Sequence, residues 1–141
     1  MKIMDKFLGF TFLATYIIAV GLGSFLQKFV MNKVTPYQLE VIIAVGMFII
    51  SVPALLIVQK NLHIPVFTAP LALLVGLLFS LGSFVYVLAV ARLPVSIAAP
   101  VSVGYIVVAV ALSTIFLHES LTLLKGIGIA LTVIGVAILS L

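Results

Sequence analysis

From Ala69 to Ala91 the chain carries no charged residue, and the stretches before and after are nearly as apolar. An uninterrupted run of that kind constrains the backbone first. In hydrocarbon every amide and carbonyl must find a partner within the protein, which leaves helices and closed barrels as the spanning structures. A spanning helix takes about 20 apolar residues, a barrel strand only about 9–11 with alternating polarity. Continuous runs therefore predict an all-α integral membrane protein. The whole chain agrees: 65% of its 141 residues are hydrophobic and 7% charged. An ordinary soluble domain has far fewer apolar and more charged residues.

Five segments have the length and apolarity of spans: residues 7–30, 37–58, 69–92, 95–117 and 121–141. They predict a five-helix bundle forming one domain, without long internal repeats or a dividing linker. The N-terminal MKIMDKFLGFTFLATYIIAVGLG starts like a signal peptide, but its apolar run continues without a small-residue cleavage site, so it reads as a retained first helix. Thr35, Pro36 and Gln38 open the second helix as N-cap, first helical residue and capping-box partner. Leu93-Pro94 ends the third helix near Arg92, since the residue before proline is pushed from the helical region. The longest connection, QKNLHIPVFT, precedes the third helix, and HES at 118–120 precedes the fifth.

An odd number of spans puts the termini on opposite sides of the membrane. Cationic residues normally set the orientation, and here four (Lys2, Lys6, Lys60, Lys125) fall on the N-terminal side against three (Lys28, Lys33, Arg92) on the other. That balance leaves two readings open. The small excess fixes one orientation with the N-terminus inside, or the chain inserts both ways and pairs head to tail, as two halves of an inverted-repeat transporter do.

Lipid gives helices no hydrophobic reason to associate, so small and hydroxyl residues mark either close packing or a wet pathway. Thr11, Thr15, Ala19, Gly23 and Gln27 form such a stripe on the first helix, with Tyr16 beside it. The third helix carries Gly76, Ser80 and Ser83, then Tyr86; the fourth carries Ala98, Ser102, Tyr105, Ala109 and Ser113. A phenol within a span needs a partner or water. Thr15, Tyr16, Ser80, Ser83, Tyr86, Ser102 and Tyr105 are thus the candidate lining of a substrate path. Pro100 has no amide hydrogen, orphans the carbonyl of Ser96 and bends the fourth helix. On the last helix Gly126, Ala130 and Gly135 make a smooth face suited to a dimer seam or to packing within the bundle.

Charged residues add little. Asp5 precedes the first span, Glu119 lies in the turn before the fifth, and Glu40 sits one turn into the second. Glu40 reads either as an anion favoured near a helix N-terminus or as a proton-coupling group, and Lys28 as a cation reaching toward the headgroups. His63 and His118 have no second ligand at metal spacing, cysteine is absent, and no basic face suits nucleic acid. No nucleophile has a base partner, and no phosphate-cradling glycine loop follows a strand. The sequence predicts no enzyme, no cofactor and no metal.

From Tyr86 onward the sequence resembles the C-terminal half of an EamA-type domain of the drug/metabolite transporter superfamily. The resemblance is carried by Arg92-Leu93-Pro94 ending a helix, Ala98-Ala99-Pro100 in the next, Glu119 to Thr122 before the last span, and Gly126 with Gly135 within it. Gln27-Lys28 and Thr35-Pro36 match more loosely in the front half. Typical members are similar to two five-helix units fused in inverted orientation. The resemblance therefore implies half of such a transporter, working as a homodimer, antiparallel under the dual-insertion reading. It implies a multi-pass protein of the cell membrane that exports small metabolites such as amino acids by alternating access, with a cavity lined by the first, third and fourth helices. It also implies that Glu119 is a turn and cap element. Two departures narrow this. Related small multidrug resistance proteins carry a carboxylate in the first helix, where Thr15 to Gly21 has none, and larger relatives often carry an arginine that LEVIIAVGMFI lacks. The alternative function is an accessory or structural membrane subunit that packs against another protein and does not transport alone.

Overall fold

The computed structural model describes residues 2–58, 66 and 68–139. Lys60, His63 and the final two residues of the predicted fifth helix lie outside the described residues, as does the Asp5 side chain. All the described regular structure is helical: α1 (Lys2–Val30), α2 (Pro36–Val58), α3 (Ala69–Arg92), α4 (Val95–Ser102), α5 (Tyr105–Phe116) and α6 (Leu123–Leu139). The chain separates into two compact units, Met1–Arg92 and Leu93–Leu141.

Four stretches are long and apolar enough to cross a bilayer: Lys6–Val30, Pro36–Val58, Ala69–Arg92, and α4 with α5 as Val95–Phe116. Helix α6 has 17 residues, about 26 Å of rise against a hydrocarbon core of about 30 Å.

In the first unit, α3 packs against both α1 and α2. Helix α2 starts where local chemistry dictates. The Thr35 amide donates to Gln38 Oε1 at 2.9 Å and the Gln38 amide donates to Thr35 Oγ1 at 3.3 Å, a closed capping box. Packing is confined to one end of the unit. Ser24, Leu39, Val87 and Val90 are buried, whereas every residue from Lys6 to Gly23 on α1 and from Ala69 to Gly82 on α3 is exposed. Those exposed segments are almost wholly apolar, so lipid or other protein surface must cover them.

In the second unit, α6 packs against α4 and α5. The predicted fourth span, 95–117, corresponds to Val95–Phe116, interrupted at Val103 and Gly104, past Pro100, so that it comprises α4 and α5. After Pro100 the amides retreat to carbonyls three residues back: Val103 to Pro100, Gly104 to Val101, Ile106 to Val103 and Val107 to Gly104, at 3.0–3.1 Å. This is a turn of 3₁₀ helix, matched by the dihedrals of Val103 (−61°, −17°) and Gly104 (−52°, −20°). The proline ring crowds the carbonyl of Ser96 and removes its amide, and the tighter winding follows. Glycine suits position 104 because a Cβ there would lie 3.1 Å from the Val101 carbonyl oxygen.

The α5–α6 turn is also tight. His118 is left-handed (φ 52°), and the Glu119 amide donates back to the Ser113 carbonyl at 3.4 Å. The oxygen capping α6 belongs to Thr122, whose Oγ1 accepts from the Lys125 amide at 3.4 Å. Glu119 is thus a turn residue, and Thr122 provides the cap.

Candidate functional site

The polar contacts between helices of the first unit gather along one face of α3. Ser83, Tyr86, Val87 and Val90 follow the i, i+3, i+4, i+7 spacing that puts side chains on a single stripe. Val87 and Val90 are fully buried and form the apolar spine. Each polar member of the stripe reaches a different neighbour. The Tyr86 hydroxyl donates to Ser24 Oγ on α1 at 3.1 Å, and the Ser83 hydroxyl donates to Glu40 Oε2 on α2 at 3.2 Å.

The Lys28 ammonium donates to the backbone carbonyl of Val90 at 2.8 Å. Sequence accounts for that last bond. The amide that a continuing helix would offer Val90 belongs to residue 94, a proline, so the carbonyl is orphaned. A cation suits the site twice over, as donor and as a positive charge at the negative end of α3. Arg92 adds a second, its Nη1 donating to the Leu88 carbonyl at 3.1 Å. Lys28, expected to reach toward the headgroups, makes this internal bond.

These pairs set the helix directions. Ser24 with Tyr86 and Lys28 with Val90 advance together, so α1 and α3 run parallel. Glu40 with Ser83 and Tyr37 with Phe84, whose rings are 5.9 Å apart and tilted 45°, advance oppositely, so α2 runs antiparallel to α3. The result is a three-helix wedge, joined at one end by a carboxylate, an ammonium, a phenol and two serines. Gln27 Oε1, also buried at that end, has no hydrogen-bond partner among the described residues. It is an acceptor awaiting a donor.

Of the candidate path residues, Ser83 and Tyr86 enter this cluster, and Glu40 joins them. Thr15 is exposed and donates to the Thr11 carbonyl at 3.0 Å; Tyr16 and Ser80 are exposed on the apolar parts of their helices. Ser102 and Tyr105 belong to the second unit. The Ser102 hydroxyl donates to the Ala99 carbonyl at 2.7 Å, taking the place left when the Val103 amide moved to Pro100. Tyr105 is exposed where α5 begins, and Pro100 lies inside α4. On α6, Gly126 and Gly135 are half-buried and Ala130 is exposed.

Ser24 and the Lys28–Val90 bond were missed in the sequence. The stripe Thr11–Gln27 on α1 lies one residue away from the Ser24–Lys28 face that meets α3. The available signal was Pro94, which marks the Val90 carbonyl as needing a donor.

Chemically, the cluster can accept and donate hydrogen bonds to a polar solute. No group of three or more His, Asp or Glu among the described residues could hold a metal ion.

Comparison with known proteins gives the context for this arrangement. The sequence model of the EamA-like transporter family matches residues 7–141. An uncharacterized protein of Methanocaldococcus jannaschii is 34% identical over 124 residues, covering 86% of this chain and 88% of that protein. No solved structure matches.

Proposed function

We propose that this chain, which belongs to the EamA-like transporter family, is a multi-pass membrane transporter that moves small metabolites such as amino acids out of the cell as a homodimer. The observation that carries the reading is the cluster on α3. A carboxylate hydrogen-bonded to Ser83 and a phenol hydrogen-bonded to Ser24 are half-buried in a chain with hardly any other charge in its spans. Intramembrane polar groups of this kind are costly to keep and mark solute or proton paths. Five spans, with α6 as the last, leave the termini on opposite sides, and dual insertion then yields an antiparallel pair. The exposed apolar runs of α1 and α3 suit the partner protomer, and alternating access would open the two ends of the pair in turn. The relative's coverage over most of its own length supports a single unit as the building block.

The reading is tested by reconstituting the protein in liposomes and measuring counterflow of a panel of radiolabelled amino acids, alongside Glu40→Gln and Tyr86→Phe. Transport by the original sequence, with rates lowered in both variants, is expected. Equal rates in all three would remove the α3 cluster from the path. Reporter fusions at the C-terminus should give signal on both sides of the membrane; signal on one side alone sinks the antiparallel dimer. The same exposed faces would fit a different protein, and co-purification of a second chain with no transport by the isolated protein would favour the accessory-subunit reading.

A further inference from the structure

The second unit carries a groove of about 350 Å³ between α5 and α6, at the end closed by their connecting turn. Its volume falls within the range of small-molecule sites. Two charges of opposite sign line it, Glu119 and Lys125. Among the described residues no hydrogen bond or ion pair engages either charged group, although they share one groove.

Each charge is also placed against the local field. Glu119 follows the C-terminus of α5, the negative end of that helix, and Lys125 lies in the first turn of α6, the positive end. Exchanging the two residues would suit both dipoles better. Also lining the groove, the Ser113 and Thr132 hydroxyls donate to the Val110 and Gly128 carbonyls of their own helices, which leaves their lone pairs available to other donors. Val110 and Ile129 supply an apolar wall.

We propose that this groove is a binding site for a small zwitterion. Its primary ammonium is held by the Glu119 carboxylate with the hydroxyl oxygens as further acceptors, its anionic group by the Lys125 ammonium, and its carbon body lies on Val110 and Ile129. Unpaired opposite charges recognise such a ligand because it completes both pairs at once, and a ligand with one charge leaves the other residue unmatched. The site lies in a different unit from the α3 cluster. The choice of an amino acid as probe rests on the transport reading; the site itself does not. An α-amino acid and the ethanolamine-phosphate headgroup of a lipid share this chemistry.

Isothermal titration of the purified protein in a nonionic detergent, free of ethanolamine lipids, tests it with L-alanine, propionate and propylamine. L-alanine should bind at least about tenfold more tightly than either singly charged analogue. Glu119→Gln and Lys125→Gln should each abolish that preference, and Glu119→Lys combined with Lys125→Glu should restore part of it, since a reversed zwitterion regains both ion pairs but loses the hydroxyl acceptors for its ammonium. O-phosphoethanolamine is titrated in parallel, and L-alanine binding is repeated in phosphatidylethanolamine and in phosphatidylcholine vesicles. Tighter binding of the phosphate compound, with alanine excluded only by phosphatidylethanolamine, assigns the groove to the headgroup. The opposite ranking assigns it to the free amino acid. The proposal is overturned if neither zwitterion binds, or if the single variants and the swapped pair bind as the original does. The groove's share of the binding is the part that Glu119→Gln and Lys125→Gln remove; loss of transport in Glu40→Gln while that part persists separates the two readings.

Discussion

The hydroxyl of Ser83 lies 3.2 Å from Oε2 of Glu40, and this bond ties the start of α2 to the C-terminal half of α3. It is a contact between an ionisable group and a neutral donor at a helix seam. Interhelical hydrogen bonds in membranes average about 0.6 kcal/mol, with about 1.7 kcal/mol at the upper end.

A double-mutant cycle on Glu40→Gln and Ser83→Ala should therefore return a coupling near the upper part of that range, about 1–1.5 kcal/mol, because one partner is a carboxylate. Unfolding of purified variants in sodium dodecyl sulfate measures it. Additive losses would show that the two side chains do not meet.

Lys28→Met keeps the aliphatic stem and removes the donor to Val90. Leaving that carbonyl without its donor should cost about 1–3 kcal/mol, visible as a lower melting temperature, while Lys28→Arg retains most of the stability. Pro94→Ala should soften the Lys28→Met loss, because residue 94 can then offer its own amide to the carbonyl.

His118 holds a φ of 52° at the α5–α6 turn. The left-handed conformation costs an L-residue roughly 1–2 kcal/mol, and β-branching makes it worse. His118→Val should destabilise the protein by at least about 1 kcal/mol beyond His118→Gly, where relief of strain and loss of chain entropy largely offset each other. Thermal unfolding of the two variants side by side gives the difference.

Ser102→Ala removes the hydroxyl that satisfies the Ala99 carbonyl. About 1 kcal/mol should be lost if the 3₁₀ turn persists. Faster amide exchange at Val103 and Gly104, read by mass spectrometry, would locate the effect in the turn.

How much of this was readable in the residues depends on the range of each interaction. The capping box at Thr35 and Gln38 involves groups three positions apart, so sequence alone locates it. The Lys28–Val90 bond joins positions 62 apart, and only Pro94 hinted at the vacant carbonyl. Predicting which face of α1 meets α3 was harder. In lipid both faces of a helix are apolar, so the polar-against-apolar contrast that orients helices in water is missing, and the evenly spaced small residues drew attention to a neighbouring face. The break after Pro100 was expected at the proline; its displacement to Val103 and Gly104 reflects where tighter winding can be accommodated, at a residue without a side chain.

That 3₁₀ turn also has a mechanical meaning. A 3₁₀ residue advances about 120° and 2.0 Å, an α residue about 100° and 1.5 Å. Four amides, those of Val103, Gly104, Ile106 and Val107, hold the tighter pattern. Shifting each to the carbonyl one residue further back would turn α5 by about 80° about its axis relative to α4 and draw it in by about 2 Å, each of the four keeping a partner. The segment is a screw thread cut into one transmembrane rod, and a small change of pitch there swings everything beyond it.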